Sequence, residues 1–290
     1  MKLSPLLLCC ILVVSGCVSS RASSAARMEE DVVYGKGYMA DDDGEPPVLR
    51  PLLMDVYRPD GTASTSRPAV VLVHGGGFER GSRKNDQLVA LAQGLSNHGY
   101  VCFVINYRLM GDHPPAPAPH YDPLAKAVHA AVVDVRAALR HVHANARAHG
   151  VDPKRIALLG ASAGAIASLG AGLAQGDAFA DDGPDYPAPA ENYPQVAARA
   201  AAIVNLWGSL DFFPELFGPH APPIMTVHGG KDFTVGLSLL PAENIDALCK
   251  KHGVAHYYYP VPEAGHGVWD AVIEGKSLEE LIINFLDVHL

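Results

Sequence analysis

A single serine stands between two glycines in the stretch "RIALLGASAGAIASLGAGLA", residues 155–174. The four apolar residues Ile156 to Leu159 read as a short buried strand, and the small residues after Gly164 read as a helix. A Gly-x-Ser-x-Gly turn at that seam holds the Ser162 hydroxyl at the tip of a sheet, beside a helix N-terminus. A serine hydroxyl is a weak nucleophile until a base takes its proton. The chain has 14 histidines. His266 is singled out by its flanking glycines in "PEAGHGVWD" and by its position after the last strand-like run. Asp232, in a loop after the strand of "TVHGGKDFTV", is the expected partner that orients the imidazole and stabilises its charged form. Asp211 in "LWGSLDFF" is the alternative acid. The glycines of "VVLVHGGGF" follow a buried strand. The backbone N–H groups of Gly76 and Gly77, with that of Ala163, are the expected donors to a developing oxyanion, each contributing about 3 kcal/mol. The chemistry implied is acyl transfer through a covalent serine intermediate. A phosphate-binding loop fits less well, because no Gly-Lys-Ser/Thr follows.

These side chains need a scaffold that brings strand ends together. Apolar strand-like runs alternate with helical stretches, which argues for an α/β fold with a mostly parallel sheet. "VVYGKGYM" and "PLLMDVYRP" lack an intervening helix and read as an antiparallel lead-in. "RPAVVLVHG", "YVCFVINYR", "RIALLGAS", "AAIVNLWG", "PPIMTVHG" and "AHYYYPVP" read as the remaining strands. Ala131, Val132, Val135, Leu139 and Val142 recur at helical spacing, and Gly150 is a stop signal. A last helix is expected from about Leu278. Two proline-rich segments, 110–123 and 176–195, cannot form regular structure. Following strand or helix ends, they are expected to wall or cover the site. Phe78 is the aromatic expected at its mouth. Core packing is the simpler expectation for most of Trp207, Phe212, Phe213 and Trp269. His74 is expected to structure the glycine loop. His113, His120, His141, His143 and His149 lack a metal-binding spacing, so no metal and no cofactor is expected.

The first residues have a different purpose. "MKLSPLLLCCILVVSGCVSS" carries Lys2, an apolar run and then small residues, the pattern of an export signal. Val14-Ser15-Gly16-Cys17 resembles the bacterial lipobox, which implies lipidation of Cys17. The domain expectation is a signal at 1–16, a lipid-anchored flexible tether at 17–30 and a catalytic domain at 31–290. An exported, outer-membrane lipoprotein follows from that resemblance. The remaining Cys102 and Cys249 are expected as unpaired, buried thiols. A formal net charge of -9 and the lack of a basic run exclude nucleic acid as a natural partner.

"LLMDVYRP", "VVLVHGGGF", "VINYRL", "VDPKRIALLGASAG", "VHGGKDFTV" and "GHG" together resemble the α/β-hydrolase-fold carboxylesterases. The resemblance is to the feruloyl-esterase-like BD-FAE type and to the hormone-sensitive-lipase-like type, from about Val32 onward. The chain order Ser162, Asp232, His266 is the order that fold uses. Ala161 stands where the hormone-sensitive-lipase group usually has Asp, and that group's N-terminal helical cap has no counterpart. Both departures favour the BD-FAE side. The resemblance implies a serine esterase acting on short-acyl or aryl esters, either small molecules or esters linked to oligosaccharides. A prolyl-oligopeptidase-like peptidase and a non-catalytic binding protein of the same fold are the alternatives.

Overall fold

The computed structural model describes residues 27–42, 44–60, 66–118 and 120–290. The expected signal and Cys17 lie outside them. Val- and Leu-rich runs form the middle of an eight-stranded sheet: Arg67–Val73 (β3), Val101–Ile105 (β4), Val151–Ala161 (β5), Ala202–Leu206 (β6) and Ile224–Gly229 (β7). Arg27–Met39 (β1), Val48–Arg58 (β2) and His256–Val261 (β8) complete the order β1-β2-β4-β3-β5-β6-β7-β8. The β1–β2 and β2–β4 pairs are antiparallel, as the lead-in predicts, and β4, β3 and β5 to β8 run parallel. A parallel sheet must be covered on both faces, which is why its central strands β3 and β4 are apolar along almost their whole length. Along β3, Ala69, Val71 and Val73 enter one core and Val70 and Leu72 the other.

Pro123–Ala144 (α2) and Ala163–Leu173 (α4) supply the first layer, after Asp86–Asn97 (α1) has begun the second. Ala146–His149 (α3) continues α2 beyond a break at Asn145 and ends at Gly150, which adopts φ +70° at the expected stop. Leu240–His252 (α5) joins the first layer through Ile245 and Cys249. Leu278–His289 (α6) joins the second and begins at the expected residue, where Ser277 and Glu280 form a capping box. Each fully buried Val or Leu between these layers stabilises the fold by about 1.5–3 kcal/mol. Cys102 and Cys249 are both buried and unpaired.

Two expectations need correction. Order begins before residue 31: Arg27, Met28 and Glu29 already pair with Arg58, Tyr57 and Val56. Ion pairs from Glu29 to Arg58 and from Glu30 to Lys84 hold this end of β1 down, so residues 27–30 are strand rather than tether. The proline-rich segments do not wall the main cleft either. No described residue of 110–123 or 176–195 lines it. Segment 176–195 instead clamps the first layer from outside. Asn192 bonds both the N–H and the carbonyl of Lys36 on β1, each at 2.8 Å. Asp182 receives two hydrogen bonds from the Arg108 guanidinium, at 2.7 and 3.0 Å.

Arg108 is wholly buried and is also held by Asp134 of α2 at 2.8 Å. Removing one partner of a buried ion network leaves uncompensated charge, at about 3–5 kcal/mol. Arg108→Leu is therefore expected to lower the unfolding free energy by that amount. Urea denaturation would register it as a lower midpoint at an unchanged m-value; an unchanged midpoint would show that the two aspartates need no cation.

Candidate active site

The strand ends carry the four groups that the sequence singles out. β5 ends at Ala161, and the chain turns through Ser162 directly into α4. Ser162 has φ +55° and ψ −122°, a conformation that costs an L-residue of order 1–3 kcal/mol. The turn is held by the Ser162 N–H, which donates to the Leu206 carbonyl of β6 at 2.8 Å. The flanking glycines are required by contact. A Cβ on Gly160 would collide with the Gly164 carbonyl, and one on Gly164 with the carbonyls of Val73 and His74. Small residues here let the first turn of α4 press against the end of β3.

Asp232 and His266 arrive from the loops after β7 and β8. β7 ends in Gly229, and Gly230 follows. A Cβ on either would strike the carbonyl backbone of the segment 262–265. The bare backbones meet instead: Gly230 N–H donates to Val261 and Lys231 N–H to Ala264, at 2.8 and 2.7 Å. This contact ties the Asp232 loop to the His266 loop. Asp232 Oδ2 accepts from His266 Nδ1 at 2.8 Å, and His266 Nε2 lies 2.9 Å from Ser162 Oγ. Asp232 Oδ1 accepts from the N–H groups of Thr234 and Val235 at 2.9 and 3.3 Å. Burial opposes its charge, but His266 and those two N–H groups outweigh it and hold the carboxyl below the ordinary carboxylate value. Asp211, the alternative acid, is exposed and outside this set; it lines a separate cavity.

A cleft of about 620 Å³ opens over Ser162 and His266. Gly76, Gly77 and Ala163 line it together with Ser162. His74 supports the glycine loop as expected. It is buried, its Nδ1 lies 2.8 Å from the Gly75 carbonyl, and burial lowers its pKa. Tyr107 completes that support: its hydroxyl donates to the His74 carbonyl at 3.0 Å and its ring stacks on His74 at 4.4 Å. Sequence reasoning missed Tyr107. Its position two residues past the end of β4, the neighbour of β3, was the available signal.

Phe78 is corrected from mouth to floor. It lines the cleft but is 3% exposed, edge-on to Tyr107. Phe212, 45% exposed, is the aromatic at the mouth, and the buried Trp207 packs edge-on against Trp269 and His266. Among the described residues, no group of three or more His, Cys, Asp or Glu is arranged to hold a metal ion.

If Asp232 orients His266, Asp232→Asn leaves the shape and removes the preference for the correct tautomer. Turnover should fall by about 10⁴-fold with the circular dichroism spectrum unchanged; a loss below tenfold would assign the acid to another residue. The depressed carboxyl also sets a sign for stability. Its contribution is present above the unfolded value of about 3.9 and is lost as pH falls through the folded value.

Similarity to known proteins agrees with this geometry. Residues 54–217 match the BD-FAE family. Esterase LipC of Mycobacterium tuberculosis is 25% identical, over 82% of this chain and 62% of its own length. Esterase LipQ of the same organism is 26% identical, over 91% and 63%. The chain thus spans less than two thirds of these relatives. Among solved structures, a truncated carbohydrate esterase from gut microbiota superposes with a TM-score of 0.64 at 18% identity, covering 92% of this chain and 98% of that one. Thermogutta terrifontis esterase 2, phosphorylated by paraoxon, superposes with a TM-score of 0.61 at 23% identity, covering 92% of each. With a family match over more than half its length and the sheet, elbow and loop order described above, the chain belongs to the BD-FAE family and has the α/β-hydrolase fold.

Proposed function

We propose that this protein is a serine carboxylesterase. The observation that carries the reading is the continuous relay from Asp232 through His266 to Ser162 Oγ, facing a glycine loop across an open cleft. In the acylation step, His266 Nε2 takes the Ser162 proton as Oγ bonds to the ester carbonyl carbon. The carbonyl oxygen becomes an anion against the N–H groups of Gly76, Gly77 and Ala163. The Ser162 N–H is occupied by Leu206, so it is not counted among these donors. As the intermediate collapses, the ester C–O bond breaks and His266 returns the proton to the leaving alcohol. Water then attacks the acyl-serine with His266 again as base, releasing the acid and restoring Ser162. No cofactor enters these steps.

Short-acyl or aryl esters, free or carried on oligosaccharides, are the proposed substrates. The cleft volume suits a small ester. Relatives and structural neighbours support the class: three mycobacterial matches are named as ester hydrolases, and the Thermogutta esterase is known with propionate and with butyrate bound. The test is hydrolysis of p-nitrophenyl esters from acetyl to dodecanoyl by the protein and by Ser162→Ala. Activity on short chains that falls at least 10³-fold in the variant is expected. Equal rates would dismiss the serine, and cleavage of aminoacyl-anilides alone would favour a peptidase.

The proposed location is the bacterial outer membrane, reached by export and held by lipid on Cys17. The support is the pattern Val14-Ser15-Gly16-Cys17 after an apolar run. Metabolic labelling with a fatty-acid analogue should mark the full chain and not Cys17→Ala; an unlabelled wild type would refute the anchor.

A further inference from the structure

Asp232 has a second histidine against it that the relay does not use. His228 is the penultimate residue of β7, with no exposed side-chain surface. Its Nε2 lies 3.5 Å from Asp232 Oδ2, the same oxygen that accepts from His266 Nδ1 at 2.8 Å. Neither ring nitrogen of His228 has a hydrogen-bond partner within normal geometry among the described residues. A buried ring with only the Ser238 backbone and Asp232 near its nitrogens is weakly satisfied, which is costly and calls for a physical explanation.

Three groups face this ring. Burial disfavours its charged form, and so does the His266 ring. Asp232 and the Ser238 backbone favour that form, and the balance lowers its pKa. A neutral imidazole carries one proton. With that proton on Nδ1, the Nε2 lone pair would face a buried carboxylate; with it on Nε2, the N–H dipole faces the anion. The rest of the carboxylate is fixed already, since Oδ1 is taken by Thr234 and Val235. Rotation of the carboxylate away from His266 is therefore resisted from both sides.

We infer that His228 is a positioning residue for Asp232: a neutral, Nε2-protonated imidazole that shares Oδ2 with His266 and keeps that oxygen aimed at the catalytic ring. Its effect on turnover rests on the serine-esterase reading, whereas its tautomer and contact do not. At 3.5 Å the N–H is a weak, polarising neighbour rather than a full hydrogen bond. It draws charge from Oδ2 and moderates the hold of Asp232 on the His266 imidazolium.

Removing the donor in His228→Leu leaves Oδ2 to His266 alone, so the imidazolium is favoured more. The acid limb of the kcat/KM profile for p-nitrophenyl acetate should then move to higher pH by about 0.5 unit. The rate at pH 7 should fall roughly three- to tenfold, mainly in kcat. His228→Gln, which can return an N–H near the Nε2 position, should restore the limb. A filler of space alone would change the melting temperature and leave the limb in place in both variants, and that result would overturn the assignment.

A second measurement does not depend on turnover. Nitrogen-15 histidine NMR of the intact protein should show His228 as a neutral Nε2–H tautomer between about pH 7 and 8. The Nδ1–H tautomer or an imidazolium in that range would overturn the proposal even if both variants lose activity. Absence of esterase activity in the wild type with the Nε2–H signal present would refute the esterase reading and leave the contact standing.

Discussion

The first turn of α4 lies against the end of β3 only because Gly164 has no side chain to meet the carbonyls of Val73 and His74. That approach fixes the relation between Ser162 and the glycine loop, since Ser162 belongs to the α4 turn and His74–Gly77 to the end of β3. Ser162 carries the resulting backbone strain at φ +55°. The strain persists because the surroundings determine the turn from several directions: Leu206 takes the Ser162 N–H, and the Ser162 carbonyl accepts from Ala165 and Ile166. Local strain held by such a frame belongs at a site where geometry must not relax.

Charge is managed by a parallel device on the other half of the sheet. Asp232 is fully buried, which by itself would favour its protonated form. Two backbone N–H groups and His266 supply enough donors to keep it ionised. Those donors stand in place because Gly229 and Gly230 let the β7 end run against the backbone of 262–265. Close backbone contact thus does at the Asp232–His266 pair what it does at the elbow. It converts two separate loops into one rigid support, which a relay with bonds of 2.8 and 2.9 Å demands.

The proline-rich segments show how an insertion can serve the site without touching its cleft. Asp182 and Asp134 enclose Arg108, and Arg108 immediately follows Tyr107. Tyr107 in turn holds the His74 carbonyl at the base of the glycine loop. The segment 176–195 therefore braces the glycine loop from behind. Prolines suit this use, since they lower the entropy lost on ordering a long connection and need no donor partners.

Strand runs, helix stops and the chain order Ser162, Asp232, His266 were all legible, because each is written within a few neighbouring residues. Apolar continuity marks a doubly covered strand, Gly160 and Gly164 mark the elbow, and the last helix begins at Leu278, as expected. The start of order at Arg27, the buried place of Phe78 and the outward use of 176–195 were not legible. Each depends on partners far along the chain: Glu30 on Lys84, Phe78 on Tyr107, Asp182 on Arg108. The same distinction divides the site itself. The sequence alone determined which residue types could perform acyl transfer and in what order they occur. Tertiary structure alone decided that Ser162 and His266, 104 positions apart, stand 2.9 Å from one another. It also left Asp211 exposed and apart from them, and set Tyr107 and His228 behind them, because through-space contacts depend on how the strands pack and not on any local pattern.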